Sequence, residues 1–146
     1  MAKTTDELLQ ELLDRESIRD LPKRYCHYVW TNDVEAMLGL FTADGVMSTR
    51  GVAAEPQEIK GSALREFYAG LDRFRPRPYI HNHVVELLGE GRAKGTCYVE
   101  LRRETREMAW IGTGFYDDEY VKDGGVWKFK ARHYQAVTGQ SREPSS

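Results

Sequence analysis

The first third of the chain has the apolar spacing of helices. After Thr5 and Asp6, apolar residues recur at helical intervals while acidic residues occupy the other face. These apolar positions are Leu8, Leu9, Leu12, Leu13 and Ile18. Pro22 interrupts the pattern, and its missing N–H and bulky ring predict a kink or a break near Leu21. Helical spacing then resumes through PKRYCHYVW.

Two more helices are predicted. The second begins at Asn32 or Asp33, where a side-chain oxygen acts as the N-cap, and its apolar residues are Met37, Leu38, Leu40 and Phe41. The third covers roughly residues 62–71. Between them, TADG (42–45) is typical of a turn, VMSTR (46–50) of a short strand and GVAAEPQEIKG of a loop.

Long alternating segments dominate the second half. They predict strands over roughly 79–88, 92–104, 107–122 and 126–137, after a stiff DRFRPRP loop. Helices followed by an antiparallel meander indicate an α+β fold: a curved antiparallel or mixed sheet, wrapped by the N-terminal helices and enclosing a pocket. Residues 1–137 form this single domain, and the polar tail 138–146 is predicted to be disordered.

Composition narrows the class of protein. The net charge of −2 provides no basic field for nucleic acid or an anionic membrane. No apolar run is long enough to span a bilayer, and the polar N-terminus is unlike a secretory signal. Cys26 and Cys97 lie far apart without a CxxC motif, which is typical of reduced thiols in a cytoplasmic protein.

The stretch ESIRDLPKRYCHYVWTNDVEAMLGLFTADGVMS resembles the opening of the SnoaL-like branch of the nuclear transport factor 2-like superfamily. The resemblance continues through IKG, NHVVEL, GTGFYDDEYVK and DGGVWKF, and covers about residues 14–137. It implies a cone-shaped fold and a homo-oligomer, a dimer or a trimer. Relatives include polyketide cyclases, scytalone dehydratase, bile-acid dehydratases, a dehydrochlorinase and dioxygenase small subunits. The enzymes among them need no organic cofactor.

In the dehydratase and dehydrochlorinase relatives, an Asp at the end of helix one orients a His from the third strand, which abstracts a proton. The resemblance places the Asp position at Trp30 and the His position at Pro78, so this chain lacks the pair. Asp33 replaces the Asp only if the helix end is displaced. His81 replaces the His only if a bulge or shift intervenes.

Other residues suggest chemistry of their own. His81 and His83 share strand parity with Val85 and Leu87, so both imidazoles are expected to face the pocket as candidate bases. His81, His83 and His133 are also an alternative set of metal ligands, although His133 has the opposite parity to Arg132.

Phenols and an arginine complete the candidate site. Tyr25 is a candidate donor to an oxyanion, and the dehydrochlorinase resemblance places Arg132 inside the pocket. The predicted catalytic residues are therefore His81, His83, Tyr25 and Arg132. The predicted substrate-binding residues are Tyr28, Trp30, Tyr116, His133 and Tyr134.

The resemblance and these residues together favour a cofactor-independent lyase, dehydratase or isomerase. It would act by general acid–base catalysis on a small hydrophobic, aromatic, hydroxylated compound. One alternative is a non-catalytic module that binds a small molecule or a partner subunit, and a second is a metal enzyme with histidine ligands.

Overall fold

A long helix lies against a six-stranded sheet in the computed structural model, which describes residues 1–51 and 55–139. The helices are α1 (Thr5–Thr31), α2 (Val34–Gly39) and α3 (Ser62–Gly70), the last followed by a 3₁₀ turn over Leu71–Arg73. The strands are β1 (Phe41–Arg50), β2 (Gln57–Lys60), β3 (Pro76–Gly89), β4 (Arg92–Arg103), β5 (Ala109–Asp123) and β6 (Val126–Gly139). The α+β prediction is confirmed.

Helix α1 begins where the sequence predicts. The Thr4 side chain accepts a hydrogen bond from the backbone N–H of Glu7, and the Glu7 carboxylate accepts one from the backbone N–H of Thr4. The sequence predicts either a kink or a break near Leu21, caused by Pro22. The break is wrong, because α1 continues through Pro22 to Thr31. Pro22 lies on the buried face of α1, and packing of that face offsets the lost hydrogen bond.

Asp33 caps α2, as predicted, by accepting a hydrogen bond from the backbone N–H of Ala36. The predicted turn at 42–45 is wrong, because these residues belong to β1. Strand β1 runs parallel to β6 with Phe41 opposite Phe129 and Val46 opposite Ala131, so residues 42–45 form a bulge within the strand. The predicted loop also contains β2, which pairs with β1, and residues 52–54 of that loop lie outside the described residues.

The sheet order is β2-β1-β6-β5-β4-β3, and the last four strands form the predicted antiparallel meander. The third and fourth strands begin and end close to the predicted residues, although β3 starts at Pro76, inside the predicted DRFRPRP loop. Helix α1 packs mainly against β3, and its buried face forms one core with residues of the other helices and of β1, β4, β5 and β6. Among the described helices, none is long and apolar enough to cross a membrane. The predicted tail lies outside the described residues from position 140 onward.

Candidate active site

A buried ion pair occupies the concave side of the sheet. Asp118 on β5 and Arg132 on β6 are direct neighbours in the strand register, and both side chains are fully buried. Arg132 Nε lies 3.1 Å from Asp118 Oδ1, and Nη2 donates a hydrogen bond to Oδ2 at 3.2 Å. Burial raises the pKa of Asp118 to about 6, so the carboxyl is ionised at neutral pH opposite the guanidinium.

Three aromatic rings surround the Arg132 guanidinium. Its Cζ lies 4.2 Å from the centroid of Tyr25, 3.7 Å from that of Tyr116 and 4.6 Å from that of Phe129. A desolvated cation over a ring face gains about 2 kcal/mol. Within the described part of the chain, Nη1 of Arg132 is buried and has no hydrogen-bond partner. The three rings form an aromatic cage around the positive charge of Arg132. The Nη1 atom remains available to donate a hydrogen bond to another group.

A hydrogen-bonded chain leads from the ion pair to His83. The Tyr120 hydroxyl donates to Asp118 Oδ2 at 3.0 Å and lies 2.9 Å from Nε2 of His83. Because a phenol has a single hydrogen, Nε2–H of His83 donates to the Tyr120 oxygen. The Nδ1 atom then carries the lone pair of a neutral imidazole.

The surroundings of His83 favour this neutral form. Burial, together with the positive charges of Arg132, Arg19 and Lys23, lowers the pKa of His83 to about 4. The ring is only partly buried, beneath helix α1 at the edge of the sheet. His83 is therefore a neutral proton acceptor throughout the physiological pH range.

Gly95 provides the space for the His83–Tyr120 contact. A Cβ atom at this position would lie 2.7 Å from the carbonyl oxygen of Val84, 3.1 Å from Nε2 of His83 and 3.2 Å from Cε2 of Tyr120. Real Cβ atoms do not approach backbone oxygen so closely, so a larger residue would shift the strand or the pair.

The two predicted tyrosines of α1, Tyr25 and Tyr28, lie in different surroundings. The Tyr68 hydroxyl donates to that of Tyr25 at 3.1 Å, and burial raises the pKa of both phenols. Tyr68 also lines a small cavity of about 10 Å³ together with Tyr28, Met37 and Leu71. Tyr25 thus reaches the Arg132 cage, whereas Tyr28 lies at this cavity.

The prediction that both histidines of the third strand face inward is wrong for His81. The register of β3 shifts between Ile80 and His83, and this β-bulge reverses the alternation of side chains. His81 is exposed on the other face, where its Nε2 lies 3.5 Å from Oε2 of Glu100. Only His83 joins the buried network.

The three histidines considered as metal ligands do not come together. His133 lies on the opposite face of β6 from Arg132, where its Nδ1 is 2.7 Å from the Ser48 hydroxyl. Across residues 1–51 and 55–139, no three or more His, Cys, Asp or Glu side chains are placed to hold a metal ion. His133 therefore does not share a face with Arg132. The other predicted substrate-binding residues of β5 and β6, Tyr116 and Tyr134, do share that face.

Those other residues, Tyr116 and Tyr134, are in contact with each other. Their ring centroids are 5.2 Å apart, and Tyr116 is buried against Arg132. Gly114 leaves room for Tyr134, because a Cβ there would lie 2.9 Å from the Tyr134 hydroxyl oxygen. Both rings therefore form part of the wall around the charged pair.

Trp30 and Pro78, which the resemblance places at the Asp and His positions, meet in space. The indole N–H of Trp30 donates to the carbonyl oxygen of Pro78 at 2.9 Å. Tyr79 contacts the indole edge-on, and the Arg77 guanidinium lies 5.4 Å from its centroid. Arg77 in turn donates to Glu104 at 2.6 Å. These contacts tie the end of α1 to the start of β3.

Asp118 and Tyr120 are site residues that the sequence reasoning missed. The segment GTGFYDDEY indicates that both side chains face inward, since Asp118 and Tyr120 share strand parity with Tyr116. An acid in an inward position of an otherwise apolar alternation predicts a buried cation as its partner. That cation is Arg132.

The chain belongs to the SnoaL-like domain family, because residues 10–133 match that domain. No functionally curated protein matches the chain. Among solved structures, a variant of Rv3472 from Mycobacterium tuberculosis, a protein of unknown function, is 26% identical with a TM-score of 0.78, over 88% of this chain and 75% of that one.

Two further solved structures share the fold. A candidate scytalone dehydratase from Novosphingobium aromaticivorans is 22% identical with a TM-score of 0.76, over 93% of this chain and 92% of that one. LinA is 20% identical with a TM-score of 0.76, over 94% of this chain and 97% of that one. The resemblance predicted from sequence is confirmed.

Proposed function

We propose that the protein is a cofactor-independent lyase of the dehydratase type, or an isomerase, that acts by general acid–base catalysis. Its substrate would be a small hydrophobic, aromatic, hydroxylated compound. The observation that carries the proposal is the chain of contacts from Arg132 through Asp118 and Tyr120 to His83. The fold shared with a candidate scytalone dehydratase supports the same reaction class.

In this mechanism His83 is the base. Its Nδ1 lone pair accepts a proton from a carbon of the substrate, while Tyr120 holds the ring in one tautomer. Asp118 positions Tyr120 and stabilises the positive charge that develops on the imidazole. His81, which the sequence favoured over His83 as a base, lies on the other face beside Glu100.

Arg132 and Tyr25 would act on the oxygen of the substrate. The free Nη1 of Arg132 is a donor for a developing negative charge, in a buried site where electrostatic stabilisation is strong. The Tyr25 hydroxyl, beside the same guanidinium, would orient a substrate hydroxyl. The rings of Tyr116 and Tyr134 would form the aromatic wall, and Tyr28 lies farther away, at the small cavity beside Tyr68.

The experiment first screens hydroxylated aromatic compounds for a thermal shift and then follows their dehydration or isomerisation by absorbance. His83→Gln is expected to lower kcat by about 10²–10⁴-fold while binding persists, because it removes the base. His27→Gln, an exposed position on α1, is the matched control. Full turnover by His83→Gln, or loss of turnover in His81→Gln instead, would contradict the assignment.

A non-catalytic role in binding a small molecule or a partner subunit is the second candidate. The Trp30–Pro78 hydrogen bond favours it, since these residues stand where the related enzymes keep their acid–base pair. Dense aromatic packing around Arg132 favours it as well. Mass spectrometry of compounds extracted from the purified protein distinguishes the two: a ligand that binds but is recovered chemically unchanged after incubation supports binding alone.

A further inference from the structure

The second half of α1 lies alongside β3 and runs in the opposite direction. Arg15 Nη1 donates to the carbonyl oxygen of Val85 at 3.1 Å, and Trp30 Nε1 donates to that of Pro78 at 2.9 Å. Between these two contacts the helix rises about 22 Å, and the strand rises about 23 Å. The two contacts therefore fix which turn of α1 lies beside each residue of β3.

His83, the proposed base, is level with the next turn of the helix. It lies two residues before Val85, about 7 Å along the strand. Arg19 lies one turn after Arg15, about 6 Å in the same direction, and Lys23 lies one turn further. Two positive charges of α1 thus follow β3 at the height of the imidazole. We name Arg19 and Lys23 the α1 cations.

The α1 cations also point to the correct side of the helix. Successive helical residues differ in direction by about 100°. The direction of Arg19 falls between those of Arg15 and Trp30, the two residues that contact β3, and the direction of Lys23 falls within about 20° of Trp30. Both side chains are exposed, so a dissolved molecule can reach them.

The α1 cations have no anionic partner of their own. Within residues 1–51 and 55–139, neither Arg19 nor Lys23 forms an ion pair or a side-chain hydrogen bond. Their charges instead act on His83, where together with Arg132 they oppose protonation and lower the pKa of the imidazole. An anion placed here would meet two positive charges that nothing else in the described chain neutralises.

The acidic residues of the same helix are directed elsewhere. Asp14 accepts a hydrogen bond from Lys122 at 3.0 Å, on the flank of α1 that faces β5 and β6. Asp20 forms an ion pair with Arg24, one turn further along the helix. Glu16 is exposed and forms no ion pair with the described cations. No carboxylate of α1 is therefore bound to the α1 cations.

The groups that face His83 from the sheet add no net charge. The Tyr120 phenol and the Cys97 thiol, opposite His83 on β4, are both neutral because burial raises the pKa of each. The carboxylate of Asp118 is balanced by the guanidinium of Arg132. The charges beside His83 that remain without a counter-charge are those of the α1 cations.

We propose that the substrate of this site is a small organic anion, whose charged group lies against Arg19 and Lys23 while its reacting carbon faces Nδ1 of His83. This inference rests on the proposed function and names the class of substrate. The negative charge of the bound substrate stabilises the imidazolium, so substrate binding makes His83 a stronger base. An uncharged compound of the same shape lacks this effect.

Calorimetric titration at neutral pH compares salicylate with its uncharged analogue, salicylamide. The wild type is expected to bind salicylate about 10-fold more tightly, since the anion gains charge-assisted hydrogen bonds. Arg19→Gln/Lys23→Gln is expected to lose this preference, with an unchanged circular dichroism spectrum and an unchanged affinity for salicylamide. Phenyl phosphate, compared with phenol, shows whether the site prefers a phosphate ester to a carboxylate.

The matched control is Lys60→Gln/Arg65→Gln. It makes the same change in net charge at two exposed residues of β2 and α3. Strand β2 is at the opposite edge of the sheet from β3, so this variant is expected to keep the preference for salicylate.

An NMR titration of the histidine side chains tests the effect on the base. The His83 signal is the one that His83→Gln removes. Saturating salicylate is expected to raise the pKa of His83 from about 4 toward the ordinary value of about 6.5, and salicylamide to leave it unchanged. This measurement distinguishes an anion bound beside the imidazole from one bound elsewhere.

Three results would overturn the proposal: neither anion binding more tightly than its uncharged analogue, a preference that survives Arg19→Gln/Lys23→Gln, and a preference that the control variant also loses. Where the double variant fails to fold, the NMR titration of the wild type decides. Neither measurement depends on turnover. Anion preference without conversion of any compound would contradict the proposed function alone, whereas turnover of uncharged compounds without anion preference would contradict this inference alone.

Discussion

The indole nitrogen of Trp30 and the carbonyl oxygen of Pro78 form a 2.9 Å hydrogen bond that ties the end of α1 to the start of β3. These residues are 48 positions apart in the sequence, and the family resemblance places an acid–base pair at the same two positions. The contact shows that the two positions are neighbours in this fold.

Trp30→Phe removes this hydrogen bond but keeps an aromatic ring beside Tyr79. We expect it to lower the free energy of unfolding by about 1 kcal/mol, the usual net value of such a bond. Trp30→Ala also removes the ring contacts with Tyr79 and Arg77, so a larger loss is expected. Urea unfolding followed by circular dichroism measures both. Equal stability of wild type and Trp30→Ala would show that this contact does not stabilise the fold.

Arg132 and Asp118 are expected to be strongly coupled in stability. Arg132→Met leaves the buried Asp118 carboxylate without its cation, and Asp118→Asn leaves the buried Arg132 guanidinium without its anion. Each substitution should lower the free energy of unfolding by about 3–5 kcal/mol. The double variant should lose much less than the sum of the two single losses, because neither charge remains unpaired. A double-mutant cycle by urea unfolding checks this, and additive losses would contradict the coupling.

Gly95→Ala is expected to disturb the His83–Tyr120 contact. The new methyl group would meet the Val84 carbonyl oxygen, so destabilisation of about 1–3 kcal/mol is expected from overpacking. Gly39→Ala is the control, since no atom lies within 4 Å of its Cβ and alanine stabilises a helix relative to glycine. Thermal unfolding of both variants tests the difference. Unchanged thermal stability of Gly95→Ala would show that the strand moves freely there.

The stability of the protein should depend on pH through His83. Its pKa is lowered to about 4 in the folded chain, against about 6.5 in the unfolded chain. The unfolded state therefore binds the proton more tightly, and this stabilising contribution is lost as the pH falls from 6.5 toward 4.

His83→Gln removes that contribution. Asp118 titrates in both the wild type and the variant, so its effect largely cancels when their pH profiles are compared. Between about pH 7.5 and about pH 4.5, the wild type should lose about 1–2 kcal/mol more stability than the variant, after allowance for solvent screening at the half-buried ring. Urea unfolding at several pH values measures this difference. Parallel pH profiles would show that His83 is not held neutral by the fold.

Helix and strand positions could largely be predicted because they depend on local periodicity. The capped start of α1, the Asp33 cap and the four-strand meander all follow from short-range patterns. The turn predicted at 42–45 is instead a bulge within β1, because the pairing of Phe41 and Val46 with residues of the distant β6 keeps both of its ends in the strand. Pro22 likewise remains within a helix because tertiary packing favours it.

The site was predicted less completely. Arg132, Tyr25 and His83 were recognised as candidates, but His81 was misplaced because a β-bulge cannot be read from alternation alone. The partner of Arg132 was missed because Asp118 becomes its neighbour only when β5 and β6 pair in one register.

The sequence by itself determined the family and the α+β fold, since these depend on residue types at spacings along the chain. Only the tertiary structure decided that Asp118, Tyr120 and His83 form a hydrogen-bonded chain beginning at Arg132. The physical reason is strand register: a shift of one residue turns every side chain to the other face, and no local pattern specifies where that shift occurs.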